Sequence, residues 1–190
     1  MKKMIWMIGI LAMVVTTSYA KSNNKSLVKY DKALVSKYLN ELEHYSANQL
    51  DIMEFVYQAS RSDDLSYTMA AVCMEESTAG KYIFNLTGDY GIVGINIKSY
   101  MRNNRIKVNL YSKVALATKL MRNDAYALHI GLTLMKYWVK RYKGDYVKAW
   151  GSYNGGTIPN YYYANRIYNR IKAIKIFNLK HPYMFDSILD

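Results

Sequence analysis

The chain has 190 residues, 51% of them hydrophobic, and a formal charge of +12. That length suits one domain, and the hydrophobic share excludes a disordered chain. Cys73 is the single cysteine, so no internal disulfide forms, and the scattered His44, His129 and His181 make no metal-ligand pattern.

The first residues read as an export signal. Lys2 and Lys3 supply a positive start, residues 4–15 an apolar stretch too short to span a bilayer, and Ser18-Tyr19-Ala20 a small-x-small cleavage site. No cysteine follows the site to carry a lipid. The expectation is that residues 1–20 are removed, the alternative being an uncleaved anchor, that no stable membrane span remains, and that the protein works in the periplasm or elsewhere in the cell envelope. A basic protein is drawn to polyanions. At that address the polyanion is the cell wall, whose stem peptides carry carboxylates, and no motif supports nucleic acid instead.

After a polar stretch at 21–25, the spacing of Leu27, Leu34, Val35, Tyr38, Leu39 and Leu42 predicts an amphipathic helix over 27–42. Ser46 or Asn48 can cap a second helix, over 49–60. Residues 61–64 read as a linker, which makes 21–64 an N-terminal helical extension.

Leu65, Met69, Val72, Cys73 and Glu76 then follow i, i+4, i+7, i+8, i+11, one face of a helix. Asp63 or Asp64 can cap its start and Gly80 can end it. Glu76 falls in the apolar stripe, and Glu75 points about 100° away. A carboxylate in such a stripe is desolvated, which raises its pKa and favours the protonated form near neutral pH. A protonated carboxyl group in a cleft is what a glycosidic oxygen needs as its bond breaks. The competing reading makes Glu75 and Glu76 the solvated end of a helix. Cys73, on the apolar face, reads as a small buried hydrophobe rather than a nucleophile.

Gly80, Gly88, Gly91 and Gly94 break up the next stretch, where little strand is expected. Residues 96–105 read as an exposed loop or short helix. Helical spacing resumes at Asn109 with Leu110, Val114, Ala117 and Met121, and again over 125–142. Lys143-Gly144-Asp145 reads as stop, cap glycine and new N-cap. A short helix over 146–152, a loop at 155–159 and a last helix over 161–177 complete the pattern, with a tail from 179 to 190. Twenty tyrosines run through the chain. Their flat apolar rings with polar tips suit sugar faces and helix contacts alike.

Three motifs in order resemble a known family. Glu76-Ser77 followed by Asp89-Tyr90-Gly91-Ile92-Val93-Gly94-Ile95-Asn96 resembles the core of the lysozyme superfamily. Ala149-Trp150-Gly151-Ser152-Tyr153-Asn154-Gly155-Gly156 resembles the Tyr-Asn-x-Gly signature of soluble-type (SLT) lytic transglycosylases, and Tyr163-Ala164-Asn165-Arg166-Ile167 the helix that follows it. Gly131 matches the family's glycine in the preceding helix. The resemblance implies a mainly α, single lysozyme-like domain over 65–178, with a small loop or hairpin flap beside the cleft. It also implies peptidoglycan glycan strands as substrate, no cofactor and no metal. Glu76 would be the catalytic acid and base. Ser77, Asp89, Gly91, Ile92, Tyr153, Asn154 and Tyr163 would line the substrate cleft, with Tyr153 orienting Glu76 by a hydrogen bond and Asn154 on substrate or loop backbone. One position departs from the pattern: the glutamine three places after the Tyr-Gly glycine is here Gly94.

Two other readings stand beside the transglycosylase. Asp89-Tyr90-Gly91-Ile92 resembles the segment carrying the second carboxylate of animal-type lysozymes, so Glu76 and Asp89 could support hydrolysis; alternatively Asp89 caps a tight turn before Gly91. Gly94 could mark a cleft that has lost catalysis, leaving a wall-binding component of a secretion or appendage assembly in the cell envelope.

Overall fold

The computed structural model describes residues 28–182 and Phe185. The expected export signal, residues 1–20, lies outside the described residues. Eight helices and one two-stranded sheet follow one another in these residues: α1 (Lys32–Glu43), α2 (Ala47–Ala59), α3 (Ser66–Ser77), β1 (Asp89–Tyr90), β2 (Ile95–Asn96), α4 (Ile97–Asn103), α5 (Leu110–Arg122), α6 (Asp124–Arg141), α7 (Tyr146–Gly155) and α8 (Tyr161–Lys180). The fold is mainly α, with a small flap, as expected of a lysozyme-like domain.

Side-chain caps start most helices. Asp31 accepts from the Ala33 and Leu34 amides, Ser46 and Gln49 form a reciprocal capping box, and Asn109 and Ser112 form another. Asn123, Asp145 and Asn160 cap α6, α7 and α8 in the same way. α3 is the exception. Its N-cap is Leu65, with no side-chain cap, and neither Asp63 nor Asp64 serves it. Asp63 sits in a single 3-10 turn, Arg61–Asp63, and accepts from Lys136 Nζ at 2.6 Å instead. Burial replaces the missing cap: Met69, Ala70, Ala71, Val72 and Cys73 are all fully buried. Each such Met or Val contributes roughly 1.5–3 kcal/mol by leaving water.

α3 is the central helix, packed between α2 and α8, while α8 also meets α1 and α7, and α6 packs on α7 and α5. Val35, Tyr38 and Leu42 of α1, with Met53 and Val56 of α2, belong to the same core as Met69 and Ile167. Helices α1 and α2, expected as an extension, therefore pack as part of the domain. Phe185 of the tail is buried too, against the Tyr57 ring, and its carbonyl accepts from Gln58 Nε2 at 2.6 Å.

The flap spans residues 80–96. Asp89 pairs with Asn96 and Tyr90 with Ile95, antiparallel, and Phe84 makes a single bridge to Tyr90. In α5 the apolar stripe does not all face inward: Leu110 and Val114 are exposed, and Ala117 and Leu120 carry the packing. Among the described residues no helix is long and apolar enough to cross a membrane.

Candidate active site

Glu76 stands in the last turn of α3, which ends through two left-handed residues, Thr78 (φ 53°) and Ala79 (φ 54°). This tight exit turns the chain into the flap and folds the flap back over the helix end. Ser77 fastens the junction. Its hydroxyl lies 3.0 Å from the Cys73 carbonyl and 2.8 Å from the Ile92 carbonyl, either of which it can donate to, and it accepts from the Gly80 amide at 2.8 Å. Ser77 is buried and fully engaged, so it positions the flap and presents no surface to a ligand.

Gly91 and Ile92, expected to line the cleft, are also interior. The Gly91 amide donates to the Ile83 carbonyl at 2.8 Å, and a Cβ at Gly91 would meet the Leu120 carbonyl oxygen at 2.9 Å. The Ile92 side chain is fully buried. The close approach of Gly91 holds the flap against α5 and α6.

Gly94 brings the flap onto the acid. Its φ is +64°, and a Cβ added there would fall 2.5 Å from Glu76 Oε2 and 2.9 Å from Glu76 Cβ. The backbone of residue 94 thus covers one side of the carboxylate, in a conformation that suits glycine.

Across the acid lies α8. The Tyr163 hydroxyl is fully buried, faces the Glu76 carboxylate, and makes no hydrogen bond of standard geometry. Burial pushes the Glu76 carboxyl up from 4.5 to about 7; the Tyr163 hydroxyl pulls the other way, and the Glu75 and Asp89 charges push further up. Glu76 as a residue retains some exposed surface while its carboxyl group is desolvated. It is therefore poised to hold a proton near neutral pH.

Tyr153 does not have the expected role. Its hydroxyl donates to the Val93 carbonyl at 2.8 Å, not to Glu76. Gly131 makes room for this bond, since a Cβ there would come 2.9 Å from the Tyr153 hydroxyl. Tyr153 holds the flap, and Tyr163 is the tyrosine beside the acid. Asn154, in the last turn of α7, accepts from Asn160 Nδ2 at 2.9 Å and remains exposed, so it ties α7 to the start of α8.

Asp89 is committed to the flap. It accepts from Asn85 Nδ2, Thr87 Oγ1 and Asn96 Nδ2, each at 2.8 Å. Three donors on one carboxylate build the turn.

Sequence reasoning missed Glu75. It is not solvated: Arg166 Nη2 lies 2.8 Å from its Oε1 and Arg170 Nε 2.6 Å from its Oε2. Arg170 also reaches Glu41 at 3.0 Å and sits 3.9 Å over the Tyr38 ring. This chain of charges pins the acid-bearing end of α3 to α8 and to α1. The signal available in the sequence was the pair Arg166 and Arg170, one helical turn apart on one face.

Two open grooves adjoin the region, and Glu76 lines neither. One, between flap and α5, includes Gly88, Tyr90, Leu110 and Val114; the other includes Tyr161 and Tyr162, next to Tyr163. No group of three potential metal ligands occurs among the described residues.

No curated protein and no solved structure matches this chain. The transglycosylase SLT domain does match, over residues 54–175, well over half of the chain and enclosing Glu76, the flap, Tyr153 and Tyr163. The chain belongs to the transglycosylase SLT domain family, whose activity is directed at the glycosidic bonds of peptidoglycan.

Proposed function

We propose that the protein is an exported lytic transglycosylase of the cell envelope. It cleaves the β-1,4 bond between N-acetylmuramic acid and N-acetylglucosamine, with Glu76 as the single general acid and base. The observation that carries this reading is the Glu76 carboxyl group, desolvated between Gly94 and Tyr163 and pushed up to about 7.

In the first step the bond from C1 of the muramyl sugar to the bridging oxygen breaks, and Glu76 gives its proton to that oxygen. The muramyl C6 hydroxyl then bonds to C1 and returns its proton to Glu76. The product is a 1,6-anhydro ring, and water is not consumed. An internal nucleophile has a high effective concentration, so one protein carboxylate suffices. A pKa near working pH serves both halves, because the group must give and regain a proton in each cycle.

Asp89 supports this reading over two-carboxylate hydrolysis, since its oxygens already accept three flap donors. Mass spectrometry of muropeptides released from purified murein tests it. Anhydro-muramyl ends are expected from the wild type and none from Glu76→Gln. Reducing muramyl ends would assign the hydrolase, and equal release by both proteins would remove Glu76 from the chemistry.

A further inference from the structure

The open groove beside α8, about 630 Å³, is walled by Lys29, Tyr30 and Lys32 on one side and by Tyr161, Tyr162 and Asn165 on the other. We infer that it is an accessory subsite for a muropeptide flanking the cleaved bond, with Tyr30 and Tyr162 as sugar platforms and Lys29 and Lys32 as partners for a stem-peptide carboxylate. This rests on the proposed function and extends it to a second part of the same glycan strand.

The wall is built in advance. The Lys29 amide donates to Asn165 Oδ1 at 2.9 Å, the Asp31 amide donates to Asn169 Oδ1 at 2.8 Å, and Asn169 Nδ2 donates back to the Lys29 carbonyl at 3.0 Å. Asn169 is fully buried, and Val28 beside the segment is buried as well. Residues 28–31 are thereby laced to α8, so binding need not order them.

The lining fits a carbohydrate carrying negative charge. Tyr30 and Tyr162 are 56% and 71% exposed, so their rings are available. Tyr162 is further set by the Arg166 guanidinium, 4.9 Å from its centroid. The one acidic residue in the groove, Asp31, has a carboxylate oxygen occupied by the Ala33 and Leu34 amides, and the exposed charge that remains is dominated by two lysines. An uncharged sugar would not need them, and an apolar peptide would not match them.

The groove stands beside the residues that surround the acid, although Glu76 does not line it. Tyr162 adjoins Tyr163, which faces Glu76, and Arg166 beneath Tyr162 binds Glu75. A strand lying against Glu76 on α3 would pass over the start of α8 to enter it.

The test uses the full chain with Tyr162→Ala and the pair Lys29→Ala/Lys32→Ala, on intact sacculi and on glycan strands stripped of stem peptides by an amidase. On sacculi, both variants are expected to raise KM on the order of tenfold with kcat unchanged. On stripped strands only Tyr162→Ala should retain its effect. Co-sedimentation with sacculi in a Glu76→Gln background should show the same losses without any cleavage. Wild-type KM and wild-type sedimentation in both variants would overturn the subsite, even with cleavage intact. A wild type indistinguishable from Glu76→Gln in product release would instead strike the proposed function, with the binding arm still readable.

Discussion

Gly94 and Glu76 are packed so closely that no side chain fits between them: a Cβ at position 94 would lie 2.5 Å from Oε2 and 2.9 Å from the Cβ of Glu76. The carboxylate end could swing away, but the Cβ cannot. The glycine that replaces the family's glutamine thus sets where the acid stands. Gly94→Ala also forces a left-handed residue at φ +64°, costing about 1–2 kcal/mol before any clash. A loss of about 1–3 kcal/mol in urea unfolding and a roughly tenfold or greater fall in muropeptide release are expected. Glutamine at 94 should do no better. Wild-type stability and rate in Gly94→Ala would show that the contact is slack.

The raised Glu76 carboxyl makes stability depend on pH. Below 4.5 both folded and unfolded chains hold the proton, and nothing is lost. Between 4.5 and about 7 the unfolded chain releases it first, so stability falls as pH rises, then levels off. The displacement corresponds to about 3 kcal/mol. Glu76→Gln removes this term. Its stability relative to wild type, from urea unfolding, should rise by about that amount from pH ~4 to pH ~8. A difference that does not change with pH would contradict the burial of this group.

Two tyrosines near the site should separate cleanly. Tyr163→Phe removes the hydroxyl that pulls the Glu76 pKa down, so the alkaline limb of the pH–activity profile should move to higher pH. Tyr153→Phe instead strips the Val93 carbonyl of its donor, costing about 1–3 kcal/mol of stability, and should leave that limb in place. An exchange of these phenotypes would restore the role first expected of Tyr153.

Glu75 is expected to be as important to folding as Glu76 is to chemistry. Glu75→Ala leaves the Arg170 guanidinium, only 11% exposed, with one carboxylate fewer. Such a change typically costs about 3–5 kcal/mol. Replacing Glu75 and Arg170 together by Leu and Met should recover much of it. A thermal scan of the single and double variants measures both. An undiminished Tm in Glu75→Ala would mean the network is not structural.

Much of this was legible in the sequence, and the failures have physical causes. Ser46, one of the two caps offered for α2, and Asp145 marked helix starts correctly because capping is local chemistry. The stripe through Leu65, Met69 and Glu76 located the acid's helix but not its surroundings. Ala70, Ala71 and Met74 are buried as well, so α3 is covered nearly all round and its periodicity carries little information. That same burial hid Glu75, whose partners lie more than ninety residues downstream. Tyr153 and Tyr163 both sit in recognisable motifs, and only the close approach of Val93 past Gly131 decides which one meets the acid. In α5, the spacing of Leu110 and Val114 was right for a helix, yet these residues line an open groove beside the flap.

Cleavage of murein in water enriched in heavy oxygen asks most directly whether Glu76 works with the sugar's own hydroxyl. The expected result is an unlabelled anhydro-muramyl product from the wild type and no product from Glu76→Gln. Heavy oxygen at the muramyl C1 of the wild-type product would contradict it, because the attacking group would then be water.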